Sequence, residues 1–249
     1  MSSRTRLSFD VKLNTTGQTI KVAIADPSKI QADNLALATW GSSEVLANIL
    51  HRLPIDFSST GVLNSSFPVL ELGAGTGLVG ISAACIWRTN AILTDLPPII
   101  PNIEANIELN RELLRQQCGI AVCGTLDWAN PKCLLLGKQS PEEAPQTDEQ
   151  NVYKRARVIV AADTVYDEDH PELLVSAVKA RLDIKLEARL IMCYPLRIGY
   201  LDHIRDLWAR LEGAGLVCIQ EGRESIDESW EEDVPYEWCV WRWQDVAVI

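Results

Sequence analysis

Val69-Leu-Glu-Leu-Gly-Ala-Gly-Thr-Gly-Leu-Val-Gly80 is the stretch from which the fold can be read. Val69, Leu70 and Leu72 predict a short buried strand, Gly73, Gly75 and Gly77 a turn, and the residues behind Gly77 the start of a helix. Glycine has no Cβ to bar a positive φ or the close approach of a ligand. A helix opening behind such a turn aims its unpaired N–H groups and positive dipole end at whatever lies over it. The stretch predicts a ligand grip on the edge of an α/β sheet.

Outward from it, the pattern alternates strand and helix. Upstream, Arg6–Leu13 and Gln18–Ile24 alternate apolar and polar residues around Thr-Thr-Gly and predict an N-terminal hairpin. Asp33–Leu53 predicts a helix with Leu46, Ile49, Leu50 and Leu53 on one face and Trp40 near its start. Downstream, helices are predicted over Gly77–Arg88, from Pro97 to before Gly119, and over His170–Leu182 and Leu201–Glu212. Strands are predicted over Ala91–Thr94, Ile120–Thr125, Val158–Ala162, Arg189–Tyr194, Leu216–Gln220 and Trp238–Trp243. This alternation implies a mostly parallel sheet covered on both faces. The last two strands, joined without a helix, allow an antiparallel pair. Gln139–Arg157, rich in Pro, Glu, Gln and Lys, predicts a mobile surface loop. No repeat or second domain is evident, so residues 1–249 read as one domain, with 1–38 as a hairpin extension and 39–249 as the core.

Gly75-Thr-Gly77-Leu-Val-Gly80 also spells the dinucleotide string G-x-G-x-x-G. Counted from Gly73, however, the string fails at Leu78, and Glu71 would place a carboxylate where it repels a pyrophosphate. A carboxylate there suits a ligand with an ammonium and a sulfonium, which favours S-adenosylmethionine. A dinucleotide site and a purely structural turn remain the alternatives.

Composition narrows the class. With 249 residues, 47% of them hydrophobic, the chain can bury a large core. No apolar leader and no stretch long enough to span a bilayer is evident, so a soluble cytoplasmic protein is expected, with the nucleus left open. Seven cysteines without a C-x-x-C pair read as reduced core thiols, and three histidines remote from them give no zinc pattern. The net charge is −11, and Glu221–Glu237 alone carries eight acids against one base. That balance argues against nucleic acid and for a basic partner, and the lack of a spanning stretch argues against a membrane.

Ligands of open α/β sheets lie beyond the carboxyl ends of the strands, which brings together the glycine turn, Asp95, Leu126-Asp127-Trp128 and Asp163-Thr-Val-Tyr166. Asp95 lies 22 residues after Gly73, where an acid can accept from both ribose hydroxyls, although it can equally cap a helix. Trp128 is placed to lie against an adenine or to pack in the core. Asp163 and Tyr166, ending the strand beside the first, are the catalytic candidates. A loop cap and rim packing are their structural alternatives.

Together, Thr39-Trp40, Glu71-Leu-Gly-Ala-Gly-Thr-Gly77, Thr94-Asp95-Leu96, Asn106–Asn110, Leu126-Asp127-Trp128 and Asp163-Thr-Val-Tyr166 resemble the class I, seven-β-strand S-adenosylmethionine-dependent methyltransferases. Within them the chain is similar to the family-16 non-histone protein lysine methyltransferases, a group with fungal enzymes acting on translation elongation factors. The resemblance implies a Rossmann-like α/β fold with an antiparallel last strand. It implies that Glu71, Gly73 and Gly75 hold the methionine end, Asp95 the ribose, Trp128 the adenine and Ala162 the backbone beside the base. Trp40 would lie against the cofactor, and Asp163 and Tyr166 would border the acceptor channel. The implied partner is a protein with a basic, lysine-bearing surface. A small-molecule N-methyltransferase and a non-catalytic cofactor-binding module remain the other classes. Methyl transfer needs a neutral amine, and Asp163 would oppose loss of its proton, so orientation of the amine is the role expected of it.

Overall fold

The computed structural model describes residues 7–25, 39–53, 55, 57, 67–137, 155–225 and 234–245. Strands β1 (Ser8–Lys12) and β2 (Thr19–Ala23) form the predicted hairpin. Helix α1 (Gly41–Ile49) tightens into a 3₁₀ turn over Leu50–Arg52, then β3 (Val69–Leu72) leads to α2 (Leu78–Trp87) and β4 (Asn90–Asp95). Helices α3 (Ile100–Leu109) and α4 (Arg111–Gln116) precede β5 (Ile120–Leu126) and β6 (Leu134–Leu136). The chain continues through β7 (Val158–Ala162), α5 (His170–Arg181), β8 (Arg189–Pro195), α6 (Leu201–Gly213), β9 (Leu216–Glu224) and β10 (Tyr236–Trp243).

The main sheet runs β6-β5-β4-β3-β7-β8-β10-β9. β5, β4, β3, β7 and β8 are mutually parallel, and β10 runs antiparallel to both β8 and β9. This is the expected Rossmann-like methyltransferase sheet, with one addition. β6, a three-residue strand antiparallel to β5, was not legible because Leu134-Leu-Leu136 is too short to show a period. One apolar core joins β1, β2, α1, α2 and α3 to one face of the sheet, and a second joins α5 and α6 to the other.

Two expectations need correction. The helix expected from Asp33 starts at Gly41, because Trp40 is extended with φ −98° and ψ 154°. Asp33–Ala38 lie outside the described residues. The apolar face holds even so, with Leu46, Ile49, Leu50 and Leu53 all buried. The expected loop Gln139–Arg157 falls largely on undescribed residues, but its end is built into the fold. Ala156 is buried and makes a parallel bridge to Leu182.

A ladder of asparagines ties the hairpin to the glycine turn. Asn102, Asn106 and Asn110 recur every fourth residue along α3 and its end, hence on one face. Asn110 accepts from the Ala23 N–H (2.9 Å) and donates to the Ala23 carbonyl (2.7 Å), so its amide pairs with the edge of β2 as a neighbouring strand would. Asn106 accepts from the Ala25 N–H (2.7 Å) and donates to the Thr76 carbonyl (2.8 Å), while Asn102 donates to the Gly75 carbonyl (3.3 Å). All three side chains are buried, and every bond satisfies a group that would otherwise be costly to bury.

Candidate active site

Where β3 ends, Gly73, Gly75 and Gly77 take φ values of 66°, 54° and 77°. These lie in the left-handed region that glycine enters without a steric penalty. A Cβ at Gly73 would lie 3.3 Å from Trp128 Cζ2 and 3.1 Å from Thr164 Cγ2. The missing side chain keeps this floor open between two walls.

Glu71 is placed otherwise than the sequence implied. Its side chain turns away from the rim, is buried, and accepts from the Gly80 N–H at 2.9 Å. Gly77, the N-cap of α2, provides no capping side chain, so Glu71 satisfies one of the free N–H groups of that first turn from the neighbouring strand. Burial pushes its carboxyl up to about 8, only partly offset by the Gly80 bond. Glu71 therefore braces the turn from beneath and does not line the cavity above it.

That cavity, of about 440 Å³, opens at the carboxyl rim. Its lining includes Trp40, Ser43, Gly73–Thr76, Asp95, Leu96, Leu126–Trp128, Ala162–Thr164, Tyr166, His170, Leu173, Arg197 and Tyr200. Every sequence-nominated site residue except Glu71 is on this surface. Asp95 Oδ2 accepts from the Gly75 N–H and Oδ1 from the Leu96 N–H, both at 2.8 Å. Burial raises its pKa while these two bonds lower it, and each oxygen retains a free lone pair. Thr39 and Thr76 join hydroxyl to hydroxyl at 3.0 Å, which fixes the chain just before Trp40 to the turn.

The opposite wall is aromatic and charged. The Trp128, His170 and Tyr166 rings meet edge to face, with centroids 5.9 Å and 4.3 Å apart. Burial lowers the His170 pKa, so the imidazole is neutral at neutral pH. Burial, then the Asp95 charge, raises that of Tyr166, so its hydroxyl stays protonated. The Asp163 N–H extends the β7–β8 ladder to the Cys193 carbonyl (2.9 Å), and the chain then turns sharply at φ 53°. Aspartate is among the few side chains that tolerate that conformation.

Asp163 is not free-standing. Arg197, two residues beyond β8, reaches it through two bonds, Nη1 to Oδ1 at 3.1 Å and Nη2 to Oδ2 at 3.3 Å. The Arg197 guanidinium carbon also lies 5.7 Å from the centre of the Trp40 ring and 5.9 Å from that of Tyr200. Arg197, His170 and Tyr200 were not among the sequence candidates. The strand-end position that marks Asp95, Asp127 and Asp163 recurs after β8 at Leu196-Arg197.

The cavity fits S-adenosylmethionine. Its volume is that of a small-molecule site, it offers a carboxylate and an indole at adjacent strand ends, and its glycine floor would be filled by any side chain.

Comparison with known proteins agrees. The family described as lysine methyltransferase matches residues 28–203. The protein-lysine N-methyltransferase rrg1 of Schizosaccharomyces pombe is 31% identical over 228 residues, covering 90% of this chain and 67% of that protein. The protein-lysine N-methyltransferase EFM2 of Saccharomyces cerevisiae is 30% identical over 222 residues, covering 84% of this chain and 48% of that protein. The chain thus spans about two thirds of one relative and about half of the other. A solved structure from Pyrococcus horikoshii, described as a candidate RNA methyltransferase, shares the fold with a TM-score of 0.52 at 12% identity, covering 86% of this chain and 90% of that one.

Proposed function

The chain belongs to the lysine methyltransferase family, whose cofactor is S-adenosylmethionine, and from that premise we propose that it methylates a lysine ε-amine on a non-histone protein. The observation that carries this reading is a cofactor-sized cavity with the glycine turn on one side and the Asp163–Tyr166 wall on the other.

Bound there, the cofactor supplies a methyl group from a sulfonium and is left as a neutral thioether. The Gly73–Thr76 turn and Asp95 are assigned to the methionine end and the ribose, Trp128 and the Ala162 backbone to the adenine, and Trp40 to the near side. Glu71 acts through the turn it braces. Asp163 and Tyr166 are assigned to the acceptor. Tyr166, 56% exposed, offers its hydroxyl to the amine and its ring to the methylated cation, a contact worth ~1 kcal/mol. In-line transfer between aligned partners needs little else from the protein than positioning and exclusion of water.

The acceptor is assigned to a protein with a basic surface. Asp167, Glu168 and Asp169 are exposed directly behind Tyr166. β9 and β10 are joined beyond Glu224 and Tyr236 at the same rim, through an acid-rich segment whose residues 226–233 lie outside those described. All seven cysteines are free, which supports a reducing, cytoplasmic setting. Among the described residues no helix is long and apolar enough to cross a membrane.

The test is to incubate the pure chain and methyl-labelled cofactor with a lysate lacking the endogenous enzyme. Label on a lysine of one protein, located by mass spectrometry, is the expected result. Label confined to small molecules would overturn the protein-substrate assignment.

A further inference from the structure

We propose that Arg197 is the charge-balancing residue of this cavity. By holding the Asp163 carboxylate in a two-bond ion pair, it cancels that carboxylate's field and sets how strongly the site prefers the cationic sulfonium cofactor over its neutral demethylated product. The proposal rests on reading the cavity as the S-adenosylmethionine site.

The pair is built into the fold. Asp163 and Arg197 follow adjacent parallel strands, the Asp163 N–H is bonded to β8, and their side chains are 7% and 17% exposed. Trp40 and Tyr200 flank the guanidinium, which keeps the fork aligned with the carboxylate. Asp95 and Asp127 bring further negative charge to the cavity from β4 and from behind β5. The buried Cys193 thiol on β8, pushed up by its burial, and the neutral His170 on α5 add no positive charge at neutral pH. Arg197 therefore has a disproportionate effect on the net field.

The cofactor and its demethylated product differ by one unit of charge, so the field of the cavity enters their relative affinity directly. The same balance acts on the acceptor. A free carboxylate would keep an entering lysine protonated and unreactive, whereas a carboxylate already paired with Arg197 holds that proton less strongly.

Calorimetry with S-adenosylmethionine and S-adenosylhomocysteine at pH 8 tests this on the wild-type chain, Arg197→Gln, Asp163→Asn and the double variant. Arg197→Gln should move the preference toward the sulfonium on the order of tenfold, and Asp163→Asn should move it toward the thioether by a similar factor. The double variant should return to within about twofold of wild type, and Arg197→Lys should stay near it. A merely structural pair would weaken both ligands together. Ratios that stay fixed in both single variants, or move in the same direction, overturn the proposal. A wild-type chain that binds neither nucleoside overturns the cofactor reading itself, a failure distinct from fixed ratios in a chain that binds both.

Discussion

On the β3–β4 side of the cavity the surface is largely backbone, whereas on the β7–β8 side it is side chain. The glycine turn presents peptide groups fixed from behind by buried partners: Glu71 under Gly80, Asp95 on Gly75, Asn102 and Asn106 on the Gly75 and Thr76 carbonyls. The facing wall presents the Asp163–Arg197 pair and the Trp128–His170–Tyr166 rings, and it ends in exposed Tyr166 and Ile198. A wall that meets one invariant ligand gains from rigidity, and a wall that meets a protein partner needs groups that project. Perturbing the first wall should therefore change stability and the affinity for both nucleosides alike, perturbing the Asp163–Arg197 pair should change the preference between them, and perturbing the projecting Tyr166 and Ile198 should change turnover and acceptor recognition.

The largest effect is expected at Asp95. Asp95→Asn keeps an oxygen for one backbone N–H but loses the charge, and a hydrogen bond to a charged group contributes ~1.5–3 kcal/mol. With two ribose hydroxyls at stake, affinity for S-adenosylhomocysteine should fall by about two orders of magnitude. Calorimetry on the folded variant checks this, and unchanged affinity would remove Asp95 from the cofactor wall.

Glu71 tests whether that wall is braced from beneath. Its folded pKa of about 8 lies above the ordinary carboxylate value of 4.5, so the folded chain holds a proton that the unfolded chain releases in that interval. The stability that this implies is complete below about pH 4.5 and is lost as the pH rises toward 8. Glu71→Gln cannot ionise and retains an acceptor for Gly80. Relative to it, the wild type should lose ~2–4 kcal/mol between pH 5 and 9, read from denaturation midpoints. Parallel pH profiles would mean that the carboxyl is ionised in the folded chain.

The two walls were unequally legible in the sequence. Gly73, Gly75 and Gly77 are visible because a backbone-built site must be spelled in residues lacking side chains, and Asp95 because parallel strands recur at a fixed pitch. Glu71 was found at the right position but with the wrong direction. Alternation along a strand buried on both faces does not reveal which side a lone acid takes, and the need of α2 for a cap decided it. Arg197 stands just past the end of β8, where its position is legible, but its partner lies 34 positions away and is set by tertiary structure. The hairpin was legible from its alternation. Of the asparagine ladder that clamps it to the turn, only Asn106 and Asn110 were visible, as part of a family likeness, because an amide's partner is set by tertiary structure.

Tyr166→Phe sharpens the contrast from the other side. The ring, its contact with His170 and the fold remain, while the one hydroxyl proposed to meet the amine is gone. Methyl transfer should fall about tenfold, corresponding to ~1.4 kcal/mol of transition-state stabilisation, with affinity for S-adenosylhomocysteine unchanged. Equal loss of both would place Tyr166 on the cofactor wall.

Ile198 should give the smallest effect and the most selective one. It is 91% exposed beside Arg197 at the rim, so neither the core nor the cavity depends on it. Ile198→Ser should leave the melting temperature and cofactor affinity untouched, since surface substitutions of this kind stay within ~0.5 kcal/mol. A protein acceptor seated on the rim would cover that side chain. Its removal should then raise KM for the protein substrate about threefold to tenfold, in keeping with the ~1 kcal/mol from partial burial of an aliphatic group, at an unchanged kcat. A short lysine peptide too small to reach the rim should show no difference between wild type and variant. If the intact protein acceptor shows none either, the projecting wall takes the lysine without reading the surface around it.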